Sequence, residues 1–470
     1  MKIALVNTNR MKPPIAPIGM EYVAEMLGSE GYDIEVLDLC WTDDWSSAVT
    51  EFFTDKQFAV IGLTLRNTDD CAFTTKQSFI GEFYGVVNRI RSLTDATIVL
   101  GGVGFSTMPE KILTQCSADA GIWGDGEFAF VELVKCLAAN KETHAVPNLV
   151  WKRYGKLHRN EPQFLPLEKL PGMKRNLLDN QRYLREGGQI GFETKRGCSC
   201  NCIYCADPVA KGNTIRCRPP QAVVDEIKSL LAQGIDCLHT CDCEFNLPSW
   251  HAEEVCREMI RNKLGEKIQW YAYCTPLSFS TELAALMREA GCIGINFGVD
   301  NGDDEMLKRL KRGFSAGDIR NTARACKEAG VVTMFDLLLG SPGESRESIA
   351  KTIELMKQAE PDRVGVSAGV RVYPHTELAG MIERGELREG IVGNNSDLEP
   401  LFFLEPDIAP FINELLDELI DNDPRFLFFN PDDPNKNYNY NANQVLVDAI
   451  KKGYRGAYWD ILRRIKENSP

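Results

Sequence analysis

Gly197-Cys198-Ser199-Cys200-Asn201-Cys202-Ile203-Tyr204-Cys205 is the stretch that decides how this chain is read. Cys198, Cys202 and Cys205 stand in a Cys-x3-Cys-x2-Cys spacing. Three thiolates this close in sequence, on one tight loop, can hold three irons of a 4Fe–4S cube and leave the fourth iron open to a small molecule. A zinc knuckle is the competing reading, but structural zinc takes four Cys or His ligands, commonly in Cys-x2-Cys pairs. Cys200 could replace one ligand on spacing alone.

Around this loop the composition is that of an ordinary globular protein. The 470 residues suffice for two or three domains, with 44% hydrophobic and 26% charged residues. A formal charge of −14 argues against a nucleic-acid backbone as partner, since that contact needs a basic face. No run reaches the ~18 apolar residues of a membrane span, and Met1-Lys2-Ile3-Ala4-Leu5-Val6-Asn7 reads as a strand rather than a signal peptide. The sixteen cysteines therefore point to thiols and metal in a cytoplasmic protein rather than to disulfides.

Residues 1–140 alternate short apolar runs (Ile3–Val6, Ile34–Leu37, Ala59–Leu63, Thr97–Leu100, Ala120–Trp123) with helical spacing over Glu21–Leu27, Gln77–Ile90 and Phe128–Leu137. That alternation predicts an α/β fold with a doubly wound parallel sheet, whose ligands sit beyond the carboxyl ends of the strands. The candidate loops are Asn7–Gly19, Thr64–Asp70, Gly101–Gly104 and Gly124–Glu127. Residues 141–187, broken by Pro147, Pro162, Pro166 and Pro171, read as a linker with one small hairpin around Tyr154-Gly155. A second series occupies 188–374, with strands at Ile190–Thr194, Cys237–Cys241, Ile268–Cys274, Ile293–Phe297, Val332–Leu339 and Val364–Val372, and helices between them. Its first strand runs straight into the cysteine loop. Residues 375–470 carry no chemical motif and read as a small, mostly helical cap, with an apolar run at Phe426–Phe429 and a polar, mobile-looking loop at Asn435–Asn443.

The cysteine spacing, with the aromatic Tyr204 before the last cysteine, resembles the signature of the radical S-adenosylmethionine (SAM) superfamily. The six strand–helix units resemble that superfamily's partial (β/α)6 barrel. Pro17-Ile18-Gly19-Met20, Gly101-Gly102 and Gly124-Asp125-Gly126-Glu127 look like the cobalamin-binding Rossmann domain that precedes many such modules. The resemblance implies three cofactors: a 4Fe–4S cluster on Cys198, Cys202 and Cys205, SAM, and cobalamin. For SAM it implies Tyr204, Asp242, Glu244, Asn246, Asp300, Arg312, Gly340 and Gly343. For cobalamin it implies Thr64, Leu65, Arg66, Gly101, Gly102, Gly124, Gly126 and Glu127. An Asp-x-His-x-x-Gly motif is missing and no histidine lies in the first 140 residues, so the loop at Leu65-Arg66 is expected to face cobalt without a strong donor.

The implied activity is methyl transfer to an unactivated carbon of a small molecule or lipid, using a 5′-deoxyadenosyl radical and methylcobalamin. An electron donor such as ferredoxin or flavodoxin would feed the cluster. The alternatives are a radical SAM rearrangement without cobalamin and a non-catalytic metal-binding protein. Cys200, Cys241 and Cys243 are left as packing residues or ligands of a second centre.

Overall fold

The computed structural model describes residues 1–396, 399–428 and 442–467. Its first sheet contains β1 (Lys2–Asn7), β2 (Asp33–Asp38), β3 (Val60–Thr64), β4 (Thr97–Gly101), β5 (Ala120–Ile122), β6 (Leu149–Arg153) and β7 (Lys156–Arg159), in the order β2-β1-β3-β4-β5-β6-β7. The first five strands are parallel, and the order reverses at β1. Strand β1 is buried along nearly its whole length. Its residues alternate between two cores, as the two-residue period of a strand requires. Ile3 and Leu5 pack with helices Ile18–Ser29 and Gly126–Ala138, while Ala4 and Val6 pack with Trp45–Phe53 and Ile80–Arg91.

The expected hairpin is present, but 141–187 is no linker. Strand β6 pairs antiparallel with β5 and extends the sheet, so Leu149 and Val150 are core residues. Asn148 is buried behind the prolines, donating to Trp123 O (3.0 Å) and accepting from Gln163 N (2.9 Å). The segment ends in helix Asn180–Gly187, capped by Asp179.

The remaining strands are β8 (Ile190–Phe192), β9 (Lys195–Arg196), β10 (Arg216–Cys217), β11 (Cys237–Thr240), β12 (Gln269–Cys274), β13 (Cys292–Asp300), β14 (Val332–Leu339), β15 (Arg363–Ala368), β16 (Val370–Arg371), β17 (Ile391–Val392), β18 (Phe402–Phe403) and β19 (Phe426–Phe428). The second sheet is parallel throughout and runs β8-β11-β12-β13-β14-β15-β19. It therefore has seven strands where the sequence predicted six. The seventh comes from the region expected to be mostly helical, because a three-residue apolar run carries no usable period. That region also supplies β17 and β18, which join β16 in a small antiparallel sheet. Helix Tyr458–Glu467 closes the lower end, where Trp459 packs on Tyr271 and the Tyr271 hydroxyl donates to Asp460 (2.8 Å). Within the expected polar loop, 435–441 lies outside the described residues, as does Phe429.

One hydrophobic core runs from Ile3 of the first sheet and Leu27 of helix Ile18–Ser29 into Ile190, Leu238 and Trp270 of the second sheet. Embedded in it is a buried ionic network. Arg175 Nε meets Glu21 (2.6 Å), Arg175 Nη1 meets Glu226 (2.6 Å), Arg218 Nη1 meets the other Glu226 oxygen (2.5 Å), and the Tyr22 hydroxyl donates to Glu226 (2.9 Å). Burial alone would raise the Glu226 carboxyl, but the two guanidiniums outweigh it and hold it below its ordinary value. Removing one partner would leave a buried charge uncompensated, at a cost of about 3–5 kcal/mol. Arg175→Ala is therefore expected to lower the onset of thermal unfolding clearly, as scanning calorimetry of the full chain would record. An unchanged onset would show that the network contributes nothing to the association of the two sheets.

Candidate active site

The loop bearing the cysteines is fixed from both ends. Before it, the Asp242 carboxylate accepts from Thr194 N (2.8 Å), Thr194 Oγ1 (2.6 Å) and Lys195 N (3.2 Å), tying the end of β8 to the end of β11. Arg196 then reaches into the first domain, where both Glu127 oxygens accept from it (2.8 and 2.6 Å), and its Nε donates to Glu193 (2.8 Å). Gly197 has φ +86 and a Cβ there would sit 2.9 Å from the Thr214 carbonyl carbon, so the position admits only glycine. Further on, Ile203 N donates to Leu310 O (3.3 Å) and Ile203 O accepts from Leu378 N (2.8 Å).

All sixteen cysteines are free; Cys198 is buried, and Cys200, Cys202 and Cys205 are half-buried. The Cys200 contact and burial raise the Cys198 thiol, while the same contact lowers Cys200. Burial raises Cys202, against the pull of Arg312, and raises Cys205. Ligation by iron must therefore displace protons from these thiols. Among the described residues no three His, Cys, Asp or Glu side chains are arranged to hold a single metal ion. The donor chemistry, three closely spaced thiols, one buried and two half-buried, on a braced loop, fits the cube.

The other residues assigned from the resemblance meet different fates. Arg312 lies beneath the loop: Nη1 donates to Cys202 Sγ (2.9 Å), Nη2 donates to Gly298 O (2.5 Å), and Nε forms an ion pair with Asp300 (3.0 Å). The Tyr204 hydroxyl also donates to Asp300. Asp300, Tyr204 and Arg312 thus brace one another, and Asp300 is already engaged where a ribose contact was expected. Asp242 is likewise committed to the backbone of 194 and 195. Asn246 is fully buried and bonds Thr275 and Leu277, tying its own loop to the one after β12. Gly340 and Gly343 both have positive φ, and their amides donate to Glu344 (3.1 Å) and Glu405 (2.5 Å). Glu244 keeps an available carboxyl: burial pushes it up to about 7, and Arg312 Nη2 is 3.9 Å away.

A large cavity, about 1220 Å³, lies where the strand ends of the two sheets face each other. Thr64, Arg66, Gly101, Gly102, Gly124, Gly126 and Glu127 line it from the first domain. Leu65 does not: it is 3% exposed and packs in the core with Ile61 and Phe105, because successive residues leaving β3 alternate sides. Gly19 and Gly101 leave their Cβ space open on this cavity, with nothing nearer than 3.8 Å, so a bulky ligand can approach the backbone. Gly102 and Gly124 are instead needed for the chain itself, with positive φ and the Leu65 carbonyl or the Phe164 ring in the Cβ position. The volume exceeds the ~1,000 Å³ of ordinary ligand pockets and fits a macrocycle together with a smaller molecule.

The barrel side of the cavity shows residues that sequence reasoning passed over. Glu193, Asp207, Lys211, His239 and Tyr273 line it together with Cys241 and Cys243. Burial pushes His239 down to about 4, so it is neutral near pH 7, and its Nδ1 donates to Thr240 O (2.7 Å). Its ring lies 4.9 Å from that of Tyr273. The spacing of Asp207 and Lys211, four apart on the helix directly after Cys205, was the signal available for that pair.

Residues 5–134 match the B12 binding domain, and residues 192–356 match the radical SAM superfamily. A tryptophan 2-C-methyltransferase from Streptomyces laurentii is 32% identical, the match covering 80% of this chain and 74% of that protein. This chain belongs to the cobalamin-dependent radical SAM methyltransferases. The methyltransferase also superposes on TsrM of Kitasatospora setae, a radical SAM methyltransferase solved with tryptophan and a SAM analogue, with a TM-score of 0.94 at 30% identity over 99% of this chain and 98% of that one. A second TsrM structure, with cobalamin and a [4Fe–4S] cluster, gives 0.90 at 28% identity over the same shares.

The site generates two expectations. Cys202→Ala should strip the chain of cluster iron while Cys200→Ala retains it, by iron analysis and visible absorbance. Loss of iron in the Cys200 variant alone would reverse the ligand assignment. With Arg66 on the cavity wall and His239 on the barrel side, cobalt(II) bound to this protein should show no nitrogen splitting in its paramagnetic resonance spectrum. Arg66→His should introduce one.

Proposed function

We propose that this methyltransferase methylates a carbon of tryptophan or a closely related aromatic amino acid. The observation that carries the reading is the single cavity into which both modules open, with the rings of Tyr273 and His239 on its barrel wall. Its support from relatives is the tryptophan 2-C-methyltransferase and the tryptophan-bound TsrM. In this reading Cys198, Cys202 and Cys205 hold the cluster, Glu244 offers its carboxylate to the SAM ammonium, and the loops at Thr64, Arg66, Gly101 and Gly126 receive cobalamin. When bound, cobalamin carries the transferable methyl group, and the cluster with SAM supplies single-electron chemistry.

The chain's own contribution is enclosure and orientation. Asp242 ties the start of the cysteine loop to β11, Arg196 holds it against the first domain, and the core shared by the two sheets keeps the cavity walls at a fixed separation. His239, neutral and fixed through Nδ1, presents an acceptor nitrogen without adding charge. An aromatic ring carbon is a more reactive acceptor than the unactivated carbon first expected, so release of 5′-deoxyadenosine becomes a separate question for experiment. Ser199 and Asn201, exposed on the cysteine loop, give a one-electron donor such as ferredoxin or flavodoxin a short path to the cluster. An oxygen-sensitive centre with free thiols suits a reducing cytoplasm, and among the described residues no helix is long and apolar enough to cross a membrane.

Incubation of the reconstituted enzyme with a low-potential reductant, methyl-labelled SAM and L-tryptophan should yield a product heavier by one labelled methyl group on the indole. Its absence, with labelled methyl found on another aromatic amino acid, would move the substrate assignment. Absence with every amino acid offered would overturn it.

A further inference from the structure

Between the cysteine loop and the first domain lies a group of charges that the cofactor assignments leave unused. Lys211 Nζ sits 3.3 Å from each oxygen of Asp207 and 3.6 Å from Cys243 Sγ, all three on the wall of the large cavity. These are long contacts for a cation whose side chain is only 23% exposed. On the same wall Glu193 gives one oxygen, Oε2, to Arg196, and its Oε1 accepts no hydrogen bond among the described residues. Glu193 also acts electrostatically on Lys211. An ammonium paired side-on with Asp207, and a carboxyl oxygen with spare capacity on a group that burial pushes up to about 7, therefore line one cavity. Cys241 lies near this pair and also near Tyr273, so the aromatic wall continues from the charged corner. Tyr273 is among the few large hydrophobic side chains left exposed, at 42%, and it lines this cavity.

From this arrangement we infer that Lys211 and Glu193 form a headgroup clamp for an α-amino acid, Lys211 taking the carboxylate and Glu193 the ammonium, with the side-chain ring directed to Tyr273 and His239. The inference rests on the amino-acid reading of the function and adds the residues that enforce it. A zwitterion suits the corner because it meets both charges without adding net charge to a confined space. Asp207 keeps the Lys211 ammonium aimed and, through its place two residues after Cys205, ties the clamp to the cysteine loop. SAM also carries an α-amino-acid headgroup, so the same chemistry has two sources that must be separated.

The test is calorimetric binding to enzyme loaded with cluster and cobalamin, without reductant. In the wild type L-tryptophan should bind on the order of 10- to 100-fold more tightly than either tryptamine, which lacks the carboxylate, or indole-3-propionate, which lacks the ammonium; that is the range a charge-assisted hydrogen bond carries. Lys211→Met should weaken L-tryptophan by a similar factor, leave tryptamine within about twofold, and leave the affinity for SAM unchanged. Glu193→Gln should do the converse, weakening L-tryptophan while sparing indole-3-propionate. Lys211→Arg, which keeps the charge, should recover part of the loss. Weakened SAM binding with tryptophan unaffected would assign the clamp to SAM and overturn the inference, as would Lys211→Met binding tryptophan normally. Loss of iron from Lys211→Met would make the lysine a support of the cysteine loop and overturn it too. Wild-type binding of another amino acid instead of tryptophan would keep the clamp and displace only the choice of substrate. Binding of no amino acid would remove both.

Discussion

The Arg196 guanidinium, held between Glu127 of the first domain and Glu193 at the mouth of the barrel, is the constraint on which the rest of this structure depends. It stands two residues before Cys198, so whatever fixes Arg196 fixes the start of the cysteine loop. Its partner Glu127 opens helix Gly126–Ala138, in the first turn where an acid is favoured, and lies in the loop that lines the cavity. One buried, bidentate contact therefore sets the loop of one module against the ligand face of the other. Burial alone would raise the Glu127 carboxyl, but Arg196 outweighs it and keeps it charged. Such pairs add little net stability when desolvation is counted, but they are exacting about geometry.

The cavity follows from this juxtaposition. In a doubly wound sheet, ligands collect beyond the carboxyl ends of the strands, and in a parallel barrel the loops converge at the same ends. Placing the two ends face to face yields one enclosure where each module alone would offer an open crevice. The loops leaving the first sheet and the cysteine loop after β8 thereby open on the same space. The second ionic group, around Arg175 and Glu226, lies deeper and holds the same two bodies together through helix Ile18–Ser29 and helix Pro220–Ala232.

Several residues singled out by resemblance have become supports. Asp242, Asn246 and Asp300 are polar, lie after β11 or at the end of β13, and sit where relatives are expected to contact SAM. In this chain each is satisfied by its own backbone or by neighbouring side chains. A polar residue in a buried loop has to find partners, and protein partners already within reach satisfy it before any ligand arrives. The residues left with spare capacity, Glu244, Glu193, Lys211 and His239, are those whose surroundings supply burial without full pairing.

What the sequence determined by itself was whatever depends on local spacing. The Cys-x3-Cys-x2-Cys loop, the strands of both sheets apart from β19, the hairpin of 149–159 and helices such as Ala316–Ala329, with its Ser315 capping box and Gly330 cap, are all marked by residue patterns a few positions long. Tertiary structure alone decided that 141–187 joins the first sheet, that Phe426–Phe428 becomes the seventh strand of the second, that Leu65 turns into the core while Arg66 lines the cavity, and that Asp207, Lys211 and Glu193 meet beside it. Each of these depends on a partner distant in the chain: β5 for the hairpin, β15 for Phe426–Phe428, and the opposite domain for the cavity. A hydrophobic period records which face of an element is buried, but it carries no information about what that face is buried against.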